Sequence, residues 1–182
     1  MIPEKIPTDL LKYELRNLQI KMAEESRSSF LLFVKKVWPD FIAGSHHKIF
    51  AQKLEDVSRG KIKRLIVNMP PRHTKSEFAS NLFPAWMMGR NPKLKIIQTT
   101  HTAELSYNFG RKVRNLFDQD DFKTVFPDVT LSQDSKAAGR FTTNKGGEYF
   151  AAGVGGAITG RGADLLIIDD PHSEQDALSQ TA

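Results

Sequence analysis

The sequence predicts an α/β fold: a mostly parallel sheet with helices on both faces, preceded by a helical segment. Three observations carry that prediction. Apolar residues recur at helical spacing up to about residue 60, and beyond it short apolar runs alternate with helical patterns. Two of those runs lead into chemistry-bearing residues, Lys75-Ser76 in one case and Asp169-Asp170 in the other. The 182 residues are enough for one domain that buries roughly 70% of its unfolded surface. They divide into a helical segment over 1–60 and a sheet-containing core over 61–182.

Each element follows from its local pattern. Thr8 or Asp9 caps a helix to about Glu25, with Leu11, Leu15, Leu18 and Met22 spaced four, three and four apart. Ser28 or Ser29 opens a second helix through Phe30 to about Val37, stopped by Pro39. Ser45 caps a third, with Ile49, Phe50, Leu54 and Val57 on one side and Gly60 just past its end. Arg64 to Met69 reads as a short buried strand broken by Pro70-Pro71, and Ser76 to Met88 as a helix closed by Gly89. Lys95 to Thr100 is a strand, and Ala103 to about Asp118 a helix. Arg140–Thr143 and Glu148–Ala152 pair as a hairpin around Asn144-Lys145-Gly146-Gly147. Leu165 to Ile168 is the last apolar strand. Trp38, Trp86 and the 12 Phe residues are assigned to the core rather than to base stacking.

Composition excludes several classes of function. With no Cys, there is no disulfide framework, thiolate metal site or cysteine nucleophile. The longest aliphatic or aromatic run, Phe30 to Val34, falls far short of the ~20 residues of a membrane span. The N-terminus alternates acids and bases (Glu4, Lys5, Asp9, Lys12), unlike a secretory signal. A soluble intracellular protein is expected. The net charge of +5 is unevenly placed. Lys61 to Lys75 holds five bases and no acid, whereas Asp164 to Asp176 holds five acids and no base. Either these are ordinary solvated clusters, or they are a phosphate-facing side and a cation-binding end.

The most informative segment is Met69-Pro-Pro-Arg-His-Thr-Lys-Ser76, between a predicted strand and a predicted helix. A phosphate-binding loop has this setting. Its N–H groups and the helix N-terminus face the anion, a lysine reaches the β/γ-phosphates, and the next hydroxyl binds Mg²⁺. Lys75-Ser76 fits G-x-x-x-x-G-K-[ST], but Met69 and Thr74 replace both glycines. A β-branched Thr resists positive φ, so the loop either takes another conformation or carries strain of about 1–3 kcal/mol. The alternative is an ordinary strand–helix turn. Asp169-Asp170 at a strand end suits a metal-side acid followed by a water-orienting acid, and in combination with Lys75-Ser76 points to metal-assisted nucleotide hydrolysis. Arg161, between Gly160 and Gly162, is either an arginine finger for a neighbouring γ-phosphate or an exposed loop residue. His73, His101 and His172 follow strand ends, where ligands bind in open α/β sheets. His101 is a candidate sensor, with helix capping as the alternative.

These segments, together with Phe83-Pro-Ala-Trp86, Gly110-Arg-Lys-Val-Arg114, Gly146-Gly-Glu-Tyr149 and Gly160-Arg-Gly-Ala-Asp-Leu-Leu-Ile-Ile-Asp-Asp-Pro-His172, resemble the ATPase domain of tailed-phage terminase large subunits over roughly residues 28 to 176. The resemblance implies a P-loop NTPase fold of the RecA/ASCE-like class. It also implies a Mg²⁺-dependent ATPase that drives double-stranded viral DNA into a procapsid, in a homo-oligomeric ring. The ring would sit on the portal protein with the small terminase subunit as partner, in the host cytoplasm and away from membranes. Pro71, Arg72, His73, Thr74, Lys75 and Ser76 would form the ATP-binding loop, with His47 near the adenine. Ser76 and Asp169 would hold Mg²⁺. Lys75, Arg72, Arg161 and Asp170 would be catalytic, Arg72 at the γ-phosphate and Arg161 across the ring interface.

Two departures from the family pattern matter. Thr74 stands where the family has Gly, and Asp170 where relatives more often have Glu, one methylene longer. Met1 is read as a genuine start. With an end at Ala182, before any nuclease domain, the chain is expected to be an incomplete front portion of a motor. Two other readings compete. A helicase-like translocase is suggested by Asp169-Asp170-Pro171-His172, which resembles the D-E-x-H box. A catalytically silent module would keep the fold only to dock DNA or portal.

Overall fold

A computed structural model of the chain describes residues 7–156 and 158–173. Met1, Glu4, Lys5, Asp176 and Ala182, named above, lie outside the described residues. The elements are α1 (Thr8–Ser28), α2 (Phe30–Val37), α3 (Ser45–Ser58), a π-helix (Glu77–Leu82) running into α4 (Phe83–Arg90), β1 (Lys95–Thr100), α5 (Ala103–Leu116), α6 (Asp120–Val125), β2 (Leu131–Ala137), β3 (Arg140–Thr143), β4 (Glu148–Gly153) and β5 (Leu165–Ile168). No helix among the described residues is long and apolar enough to cross a membrane.

The five strands form one sheet in the order β2-β3-β4-β1-β5. β1 pairs in parallel with β4 and β5, while β3 is antiparallel to both β2 and β4. The sheet is therefore mixed rather than mostly parallel. The reason is the 140–153 hairpin, which was expected as a unit but not as a member of the main sheet. Strand β2 and helix α6 were not anticipated.

The expected strand over 64–69 does not form. Its side chains alternate as a strand's would: Leu65, Val67 and Met69 pack on the core and Ile66 is 87% exposed. Its backbone joins no described strand, because β5 pairs only with β1. The apolar pattern produced an extended segment, and the ladder needs a neighbour that local sequence cannot specify.

The helix expected over 76–88 exists but opens as a π-helix. Pro84 has no N–H for the Ser80 carbonyl, and its ring would crowd that oxygen in α geometry. The chain shifts to wider bonding, with the Phe83 N–H reaching the Phe78 carbonyl. The shift turns Phe78, Ser80, Asn81 and Leu82 inward.

The helical layer packs on the sheet face that presents Ile96, Phe141, Tyr149, Ala151 and Ile167. Phe30 sits at its centre, edge-on to Phe78 and Phe83 at 5.5 and 5.6 Å. Trp86 and most of the Phe residues are core, as expected. The opposite face lacks the expected second helical layer among the described residues. Leu166 and Ile168 are more than half exposed there. The apolar stripe of α1 is also uncovered, and only Ala23 and Ser26 of that helix are buried. Its start has Pro7 at the cap position with no side-chain cap, so neither Thr8 nor Asp9 caps it.

Candidate functional site

Loop 69–76 crosses from the extended segment to the helix beside the C-terminal ends of β1 and β5. Arg72 and Thr74 both have φ of 63°, with negative φ at His73 and Lys75. Alternation of left-handed and ordinary residues is the pattern of φ signs from which anion nests are built. Neither Arg nor Thr relaxes there as glycine does, so the strain expected at Thr74 is present.

Lys75 reaches across the sheet end to the residues after β5. Its Nζ lies 2.6 Å from Asp170 Oδ1 and 3.5 Å from Asp169 Oδ1. Burial disfavours the ammonium, but the hydrogen bond to Asp170 and the fields of both carboxylates outweigh it and raise the Lys75 pKa. The two carboxylates differ in surroundings. Asp169 is 7% exposed, and its Oδ2 accepts a 2.8 Å hydrogen bond from the fully buried Ser80 hydroxyl. Its N–H bonds to the Thr99 carbonyl at the end of β1. The Asp170 side chain is 65% exposed, with backbone φ of 44° and a carbonyl that accepts from the His101 N–H. One acid is therefore fixed and the other is presented outward. Ser80 was missed in the sequence; only the π-turn forced by Pro84 brings it inward.

Other expected site residues fall differently. Ser76 is half-buried just after Lys75, while Pro71, Arg72 and His73 are exposed on the loop. The His73 Nδ1–H donates to the Pro71 carbonyl. His47 does not offer a polar atom to an adenine. It is 8% exposed, its Nδ1 accepts from the Gly44 N–H at 2.9 Å, and its Nε2 lies 2.8 Å from Thr74 Oγ1. Both ring nitrogens of the residue expected near the adenine are thus bonded within the protein in this structure.

Arg161 is also placed away from the carboxylates. Its guanidinium stacks over Phe150 at 3.9 Å and pairs with Glu148 at 3.1 Å. Glu148 begins β4 and is paired with Arg140 as well. Asp169 and Asp170 follow the opposite, C-terminal end of the parallel strands, so Arg161 does not join this chain's own cluster. The glycines beside it made a mobile finger plausible, but the aromatic surface that captures it is contributed by a strand 11 residues earlier.

Among the described residues no group of three or more His, Cys, Asp and Glu is placed to hold a metal ion. The oxygens of Ser76, Asp169 and Asp170 are hard donors, and Mg²⁺ typically takes only one or two protein ligands and completes its shell with phosphate and water. The two carboxylates alone could supply that number of protein ligands. Comparison with known protein families, curated proteins and solved structures finds no match for this chain.

Proposed function

We propose that the chain is a Mg²⁺-dependent ATPase with a P-loop NTPase fold, acting as the motor domain of a terminase-like machine that moves double-stranded DNA. The reading rests on one observation above all: Lys75, at the end of the left-handed loop, meets Asp170, 95 residues downstream, and Asp169 beside it. An anion-binding loop, a cation and paired carboxylates at the ligand-binding end of an α/β sheet are the parts that phosphoryl transfer requires.

In this reading the loop N–H groups and Lys75 take the phosphates, and Arg72, exposed on the same loop, adds charge at the γ end. Mg²⁺, held by Ser76 and Asp169, would neutralise phosphate charge. Asp170 orients the attacking water. The water oxygen bonds to the γ-phosphorus and gives a proton to the Asp170 carboxylate, while the bond from that phosphorus to the bridging β-γ oxygen breaks and the departing nucleoside diphosphate keeps its electron pair. Lys75 holds only Oδ1 of Asp170, so arrival of the phosphates, drawing Lys75 away, frees that oxygen as well. The DNA, portal, small-subunit and ring partners, and the host-cytoplasmic setting, belong to the same proposal.

Phosphate release from Mg·ATP by the wild type, Lys75→Ala and Asp170→Asn proteins tests it. Loss of release by at least 100-fold in both variants supports the reading. Equal background rates in all three would favour the silent docking module, to which the strained Thr74 lends its own support. Fluorescence titration with duplex DNA in rising salt tests the partner, since phosphate contacts make affinity fall steeply with salt.

A further inference from the structure

Thr74 occupies a left-handed position without being glycine, and something must hold it there. Its hydroxyl is the junction of a hydrogen-bond circuit whose directions can be assigned. The Gly44 N–H can only donate, so His47 Nδ1 is the bare, accepting nitrogen. The proton of the neutral ring is then on Nε2, which donates to Thr74 Oγ1. The same hydroxyl donates its own hydrogen bond to the His73 carbonyl at 2.6 Å. Donors and acceptors match along the whole path.

The ring that starts this circuit is itself immobilised. His47 lies in the first turn of α3, edge-on to Phe41 at 4.8 Å, stacked on Phe78 at 5.5 Å and against His46 at 3.8 Å. Phe78 belongs to the helix that the loop leads into, and its N–H bonds to the Thr74 carbonyl. Thr74 is thus held from both its hydroxyl and its carbonyl.

We propose that His47 is a positioning residue for the loop: its Nε2–H anchors the Thr74 hydroxyl and keeps residues 72–75 in the anion-binding conformation that glycine would otherwise permit. Nucleotide affinity then depends on His47 only because position 74 is threonine. The affinity part rests on the proposed ATP-binding role of the loop; the anchoring part does not.

The test is a double-substitution cycle read by calorimetric titration with Mg·ATP and by amide hydrogen exchange of residues 72–75 in the nucleotide-free protein. His47→Phe keeps an aromatic ring and removes the donor; His47→Gln keeps a donor near the Nε2 position. His47→Phe is expected to weaken Mg·ATP at least tenfold and to speed exchange at least tenfold with Thr74 present. In a Thr74→Gly background both effects should fall below twofold, and His47→Gln should recover at least half of each loss. Equal losses in both backgrounds, or no recovery with His47→Gln, would make His47 a packing residue and overturn the proposal. If the wild type fails to bind Mg·ATP, the nucleotide reading falls, and the exchange data alone decide whether the anchor stands.

Discussion

Ser80→Ala isolates the part of the site that depends least on what binds there. Ser80 is fully buried, and its hydroxyl donates to Asp169 Oδ2 at 2.8 Å. Asp169 is itself 7% exposed, and its other oxygen has Lys75 Nζ at 3.5 Å. Removing the hydroxyl deletes a hydrogen bond to a carboxylate and leaves that oxygen where water cannot readily replace the donor. Bonds to charged groups contribute about 1.5–3 kcal/mol, so a loss of about 2 kcal/mol is expected. For a chain of this length that lowers Tm by roughly 4–8 °C.

Urea unfolding at pH 7.5 measures the loss, with an unchanged slope showing that the surface exposed on unfolding is the same. The control is the same substitution in an Asp169→Asn background. There the bond is neutral and contributes about 1 kcal/mol, leaving a coupling of about 1 kcal/mol. A loss below about 0.5 kcal/mol, or an equal loss in both backgrounds, would refute the claim that Ser80 fixes the charged form of Asp169.

Three further outcomes are expected. Ile167→Ala should cost about 2–5 kcal/mol by urea unfolding, because Ile167 faces the core, whereas Leu166→Gln on the open face should stay within about 0.5 kcal/mol. Arg161→Ala should leave Lys75-dependent phosphate release within threefold at concentrations where sedimentation shows a monomer; a tenfold loss there would put Arg161 in this chain's own site. His47 has a lowered pKa, first from burial and then from His46 and His73. Its facing groups are His46 on α3, Thr74 on the loop with His73 beyond, and the uncharged Phe41 and Phe78. The stability it contributes is present above 6.5 and lost as pH falls toward the lowered folded value, so His47→Phe should flatten the decline between pH 7.5 and 5.5.

What the sequence made legible was set by local chemistry. The Ser29 cap, the strand at Lys95–Thr100 and the hairpin at 140–153 each stand where capping, β-branching and turn residues put them. Lys75 and the two aspartates were readable as a set because each follows a recognisable local pattern. Apart from the π-turn at Pro84, the misses are matters of partnership. Segment 64–69 has a strand's alternation and lacks a neighbour. The stripe of α1 has a helix's spacing and lacks a surface.

Thr74 shows how a local departure acquires meaning only from a distant residue. By itself it is a threonine where a loop needs positive φ, which suggests either a different backbone or a damaged site. The structure retains the backbone, with φ of 63° at both Arg72 and Thr74. The side chain that creates the strain also supplies the hydroxyl that His47 holds, 27 residues earlier in the chain. Glycine would remove the strain and the anchor together. Strain alone would make Thr74→Gly improve affinity, whereas an anchored loop gives up order in the exchange. The sign of the affinity change in Thr74→Gly therefore measures which of the two is larger, the strain of the left-handed threonine or the order its hydroxyl imposes.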